Sequence, residues 1–194
     1  MQIIPLIKMK NKKIFSSDEF FKSIDEEQIL YIYDFDGIEK DKPNLSTFQK
    51  LSKKYELWLD FGPRNLGDVV DSFMAGASSI TIRKNLFPQI DLSKIKEISE
   101  NKIYLDITLI DQKLDNLFLK DVEGVTNFKS KEEINQIFRY QEMLRQYATK
   151  KTVYTYESNK DNIYFWNNNG IKNFLVDIDK YVEMKKAWSQ MQKK

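Results

Sequence analysis

Short apolar runs alternate with stretches of helical spacing along the whole chain. The runs 3–7 (IIPLI), 29–35 (ILYIYDF), 56–61 (ELWLDF), 78–82 (SSITI), 103–108 (IYLDIT), 117–122 (LFLKDV), 153–156 (VYTY) and 174–178 (FLVDI) read as buried strands. The intervals carry helix signals. Ser16-Ser17-Asp18-Glu19 precedes Phe20, Phe21 and Ile24, and 45–55 repeats apolar residues through Phe48 and Leu51. The segment 66–74 ends at Gly76, and 91–99 is a weaker helix. The best apolar stripe runs over 131–147, through Ile134, Ile137, Phe138, Leu144 and Tyr147. The last helices are 162–168, closed by Gly170, and 180–192.

Strands alternating with helices on short loops imply parallel pairing, in a doubly wound sheet or a barrel. Eight strands in two similar halves point to a closed (β/α)8 barrel of TIM type, shortened, with half-barrel repeats at about 1–100 and 101–194 in a single domain of 194 residues. The glycines support the repeat. Asp36-Gly37 answers Glu123-Gly124, each read as ending a strand, and Gly76 before SSITI answers Gly170 before KNFLV. Aligning 57–64 with 153–160 places Arg64 on Lys160. Only about nine residues separate Asp106 from Leu117, so the helix between strands five and six is expected to be missing. The loop from Met9 to Phe15 is too short for a substrate-covering lid. Function in such a fold sits at the C-terminal ends of the strands.

Composition narrows the chemistry. The chain has no cysteine and no histidine, which excludes disulfides, thiol nucleophiles, serine–histidine triads and His-ligated zinc. Asp, Glu, Lys, Tyr and Arg remain. Thirty-one Lys and Arg against twenty-nine Asp and Glu give a net charge of +2, spread along the chain, so a nucleic-acid partner is not expected. Lys185, Lys186, Lys193 and Lys194 read as a solvated helix end. No apolar run is long enough for a membrane span, and the start lacks the order of a signal peptide, so a cytoplasmic protein is expected.

Three segments, Ile3-Ile4-Pro5-Leu6-Ile7, Tyr31-Ile32-Tyr33-Asp34-Phe35-Asp36-Gly37-Ile38 and Leu57-Trp58-Leu59-Asp60-Phe61-Gly62-Pro63-Arg64, resemble the HisA/HisF family. The likeness is nearest to the archaeal HisA-related proteins of unassigned function, and covers Met1 to about Asp106. It implies a two-fold-repeated barrel that holds a substrate with two phosphates. It also implies an Amadori aldose-to-ketose isomerisation by carboxylates at the ends of the first and fifth strands. The fifth-strand carboxylate is matched by Asp106, whereas the first-strand position holds Lys8. Of the family's phosphate loops, the third keeps Gly62 and Arg64; the fourth reads Thr81-Ile82-Arg83-Lys84 without glycine. Acidic residues after the eighth strand, Asp177 and Asp179, would repel a phosphate, so one phosphate site at most is expected.

The candidate reactive pair is therefore Lys8 and Asp106, with Lys8 suited to imine chemistry if its pKa is low, or else a solvated lysine or an ion-pair partner of Asp106. Arg64, Arg83 and Lys84 are the phosphate candidates, with Gly62 beside them. Asp34 and Asp36, flanking Phe35 in a strand, would share one side and hold a cation or a proton, or else shape a loop with Gly37. Asp60 reads as a ligand contact or as the partner of Arg64. Tyr31, Tyr33, Trp58, Tyr104, Tyr154 and Tyr156 read as packing, with stacking on a flat ligand as the alternative. No metal or cofactor is expected. Two functions follow: a barrel binding a small phosphorylated sugar-type metabolite, active as an isomerase or a lysine-dependent lyase, or a catalytically inactive binding or scaffolding barrel.

Overall fold

The computed structural model describes residues 2–16, 21–22, 24–25, 27–109 and 119–191. Its strands are β1 (Ile3–Lys10), β2 (Lys13–Ile14), β3 (Ile29–Asp34), β4 (Glu56–Asp60), β5 (Ala77–Arg83), β6 (Lys102–Asp106), β7 (Gly124–Asn127), β8 (Thr152–Tyr156) and β9 (Asn173–Asp177). All but β2 form a parallel sheet in sequence order, and β1 pairs with β9 from Ile3↔Phe174 to Leu6↔Asp177 to close it. The result is an eight-stranded TIM-type barrel. Its helices are α1 (Phe35–Lys40), α2 (Leu45–Leu51), α3 (Leu66–Met74), α4 (Leu92–Ile98), α5 (Lys131–Gln136), α6 (Phe138–Ala148), α7 (Ile163–Asn168) and α8 (Tyr181–Met191). Among the described residues, no helix is long and apolar enough to cross a membrane.

Successive residues of a strand point to opposite faces, so each barrel strand feeds two cores. Ile7, Ile32, Leu59, Ile80, Ile82, Leu105, Val125 and Val176 share one buried cluster with Phe48, Val69, Ile95, Leu144 and Trp188 from the helices. The alternate positions Ile4, Leu6, Tyr31, Trp58, Tyr104, Tyr154 and Leu175 fill the barrel. Trp58 lies at its centre, stacked on Tyr104 at 3.8 Å and edge-on to Tyr154 at 4.9 Å. Its indole N–H donates to Thr81 Oγ1 at 2.9 Å, which removes the cost of burying it.

Short polar side chains start the helices. Asp34, Asn65 and Asp91 accept backbone N–H groups at the starts of α1, α3 and α4, and Ser130 with Glu133 forms a capping box on α5. Gly37, inside α1, lies against β4: a Cβ there would sit 2.4 Å from the carbonyl oxygen of Phe61. Only a residue without one lets helix and strand approach so closely.

Several expectations change. The sixth barrel strand is Gly124–Asn127, not 117–122, and Leu119 and Lys120 are helical. The crossover from β6 to β7 therefore spans 107–123, and the expected missing helix falls largely outside the described residues, as does the helix start at Phe20. Gly124 opens a strand and Gly37 lies in a helix, so neither ends a strand as their proposed equivalence required. Gly76 and Gly170 do both leave helices at positive φ before β5 and β9. The helix over 131–147 is two, broken at Ile137 (φ −123°, ψ 79°). Met9 to Phe15 holds a hairpin turn at Asn11-Lys12 that pairs Met9 with Ile14 and Lys10 with Lys13.

Replacing Gly37 by Ala is expected to cost about 1–3 kcal/mol, the usual range for forcing atoms into a packed site. Urea denaturation of the variant measures it; an unchanged midpoint would show that helix and strand separate freely.

Candidate functional site

The C-terminal ends of the strands present one inward side chain each: Lys8, Tyr33, Asp60, Arg83, Asp106, Tyr156 and Asp177, with Phe128 just beyond β7. Register explains the ring. Lys8 pairs with Tyr33 and Tyr33 with Asp60, while Arg83 pairs with Asp106 and Asp106 with Thr126, so these side chains share the inner face.

Arg83 joins three strands. Its Nε and Nη2 donate to the two oxygens of Asp60 at 2.9 and 2.7 Å, and Nη1 donates to Asp106 Oδ2 at 2.8 Å. All three residues are buried. Tyr31 donates its hydroxyl to Asp60 at 2.8 Å, and Thr108 donates to Asp106 from both its hydroxyl and its backbone N–H. Burial works against the charge of Arg83, but Asp60 and Asp106 outweigh it and hold the guanidinium well above its ordinary pKa. Asp106 moves up as well: burial raises it, Arg83 lowers it, and neighbouring Asp60 raises it again. One guanidinium is shared between two buried carboxylates.

Lys8 belongs to a second group across the barrel. Its ammonium donates to Tyr156 Oη at 2.7 Å and pairs with Asp177 at 2.9 Å; Tyr156 in turn donates to Asp177 at 2.5 Å. Ser158 also donates to Asp177, at 3.1 Å. Partial burial lowers the Lys8 pKa, but Tyr156 and Asp177 more than reverse this and leave it raised. Lys8 is thus held in an ion pair at the barrel mouth. Lys8 and Asp106 stand on the first and fifth strands of an eight-strand ring, on opposite walls, and each pairs with another residue.

Phe128 lies between the two groups. Its ring meets Tyr33 at 5.2 Å, Tyr156 at 5.8 Å and Tyr31 at 6.0 Å, and the Arg83 guanidinium lies 5.7 Å from its centroid. Thr108 Oγ1 accepts the Phe128 backbone N–H at 2.9 Å, so the residue covering the ion triple is fixed by a neighbour of that triple.

The remaining candidates do other work. Arg64 donates to the carbonyls of Gly37, Ile38 and Gly62 and to Asp41 at 2.8–3.1 Å, so its guanidinium ties the end of α1 to the loop after β4. Asp60 pairs with Arg83, not Arg64. Gly62 turns that loop at φ +68°, a conformation natural to glycine. Asp34 faces away from the barrel and accepts from Asp36 N–H and from the backbone and side chain of Asn44. Asp36 is helical, not in a strand beside Asp34. Although burial raises its pKa, hydrogen bonds from Lys12 N–H, Asn44 and Lys40 lower it to about 2. Lys84 lies exposed just past β5. Among the described residues, no group of three or more metal-ligating side chains occurs.

Sequence reasoning missed Asp177 as the partner of Lys8, and Phe128 altogether. The signal for Asp177 was its place one strand from β1 in a closed ring; Phe128 becomes inward only once β7 starts at Gly124. No protein-family model and no curated protein matches this chain.

Two outcomes are expected. Arg83→Met leaves Asp60 and Asp106 buried without their cation and should cost about 3–5 kcal/mol by urea denaturation; a loss below about 1 kcal/mol would contradict the buried triple. For Asp106, a folded pKa above the unfolded value means that the folded state binds more protons between the two values. Its contribution is therefore present at low pH and lost as pH rises through the folded value. Asp106→Asn escapes that loss, so its stability relative to wild type should improve between about pH 4, near the unfolded carboxyl value, and neutrality. A difference independent of pH would contradict the raised value.

Proposed function

We propose that this chain is a ligand-binding barrel of the HisA/HisF kind that has no proton-transfer chemistry of its own. The observation that carries the reading is that every charged group of the mouth ring is paired within the ring: Lys8 with Asp177, and Asp106 and Asp60 with Arg83. An aldose-to-ketose rearrangement needs a free base and a free acid facing one carbon. Here the first-strand group is an ammonium with a raised pKa, and the fifth-strand carboxylate is held by a guanidinium on the opposite wall. Imine formation fails for the same reason, since a protonated amine does not attack a carbonyl.

The same geometry weighs against a doubly phosphorylated substrate. Two cations face three carboxylates around the ring, and the guanidinium of Arg64 is spent on carbonyl oxygens and Asp41. The reading keeps the two-fold repeat of half-barrels, supported by Gly76 and Gly170 at matching helix exits. It retains binding, not catalysis, as the function. A small phosphorylated metabolite held through Lys84 is the competing reading, favoured by the exposed position of that residue beside Arg83.

Thermal-shift titration with inorganic phosphate, ribose 5-phosphate and the HisA substrate separates the two. A ligand at about 100 times its dissociation constant adds roughly 2.7 kcal/mol, a shift of several degrees. No shift is expected with any of them. Borohydride treatment in the presence of aldehydic sugar phosphates should likewise leave Lys8 unmodified by mass spectrometry. A Lys8 adduct, or a shift that Lys84→Glu abolishes, would overturn the reading.

A further inference from the structure

Among the described residues, the upper barrel has more carboxylates than cations in its ring and, beside them, a hydroxyl with nothing to bond. Thr126 lies on β7 in register with Asp106 on β6 and with Tyr154 on β8, so its side chain shares their inner face. It is fully buried, and among the described residues its Oγ1 has no hydrogen-bond partner. A buried hydroxyl in that state is costly unless something fills the position. Register-paired side chains in adjacent strands stand about 5 Å apart, a distance that one small donor spans.

Asp106 needs the same partner. Its oxygens accept from Arg83 and Thr108, but Arg83 gives two of its three bonds to Asp60, and the triple carries one carboxylate more than it has cations. The upward shift of the Asp106 pKa, caused by burial with Asp60 nearby, is the same deficit seen from the proton's side. Beside the pair, the rings of Tyr33 and Tyr31 pack against Phe128, and Arg83 already lies 5.1 Å from the Tyr33 centroid. Aromatic faces around a carboxylate favour a soft organic cation. They suit a metal ion poorly, since it requires more oxygen ligands than Asp106 and Thr126 supply.

We propose that the barrel mouth binds the ammonium group of a small primary amine, held between Asp106 and the Thr126 hydroxyl beneath the rings of Tyr33 and Phe128. This deepens the ligand-binding reading above and rests on it. Two of the ammonium N–H groups donate, one to Asp106 and one to Thr126 Oγ1; the organic substituent points past Phe128 toward solvent. Phe128 is only partly buried, so the substituent meets solvent at its edge.

The test uses the full chain with methylammonium chloride and benzylammonium chloride as probes, and sodium chloride and sodium phosphate at equal ionic strength as controls. Calorimetry and thermal shift are both read. Saturable stabilisation by the two amines, absent with sodium, is expected, and it should weaken at least tenfold in Thr126→Val. That variant keeps the side-chain shape but lacks the hydroxyl, so without amine it should melt no lower than wild type. Asp106→Asn, which keeps an acceptor for Arg83, should also lose the response. Equal effects of amine and sodium, or unaltered amine binding in both variants, would overturn the proposal. So would a valine variant that melts well below wild type, because the hydroxyl would then be bonded without a ligand. In none of these cases would the absence of catalysis be touched; that reading fails only if sugar phosphates bind or Lys8 is trapped.

Discussion

The shared guanidinium of Arg83 is the interaction on which the upper half of the barrel depends. It binds β4, β5 and β6 through two buried carboxylates, and among the described residues it supplies the only positive charge within hydrogen-bonding reach of either. Removing Arg83 leaves two uncompensated carboxylates in a dry interior, which costs far more than the pairing gains. The surroundings follow from this. Tyr31 and Thr108 complete the hydrogen bonding of the carboxylates, and Tyr33 and Phe128 shield the guanidinium from water. Below the triple the barrel is aromatic, with Trp58 filling its axis.

The seam where the barrel closes is held differently. Lys8, Tyr156 and Asp177 come from β1, β8 and β9, so a half-exposed ion pair and a tyrosine hydroxyl fasten the two ends of the sheet at the mouth. This use of Lys8 accounts for both its position and its chemistry. On the reading proposed above, a lysine that joins first and last strands stays charged, and a charged lysine is no nucleophile. Structural closure and imine catalysis ask for opposite protonation states of one side chain.

Much of the barrel was legible from residue pattern. The runs of β-branched and aromatic residues located β1, β3, β4, β5, β6, β8 and β9, and α3 matches 66–74 because Asn65 and Gly76 mark its two ends. The sixth barrel strand was hidden because GVTN is short and half polar, whereas nearby LFLKDV is more apolar. Gly124 is set by the approach of β8, since a Cβ there would lie 2.4 Å from the carbonyl oxygen of Thr152, which hydropathy does not register. The break at Ile137 was invisible for a related reason: the apolar stripe continues through it, but Ile137 and Phe138 are exposed. Of the site, the residue types were legible but not their partners. Pairing depends on which strands face one another across the ring, and that depends on closure and register, which are fixed only after folding.

On the reading proposed above, the paired charges of the mouth resist acid–base use. The state of Lys8 decides between the two kinds of barrel most directly. A carbon-13 NMR titration of the lysine side chains, with Lys8→Arg to assign its signal, follows the Lys8 ammonium as pH rises. A midpoint above the ordinary lysine value of 10.5 is predicted from its bonds to Tyr156 and Asp177. A midpoint near or below about 8, within the range of catalytic lysines, would contradict the account and return Lys8 to the role of a reactive amine.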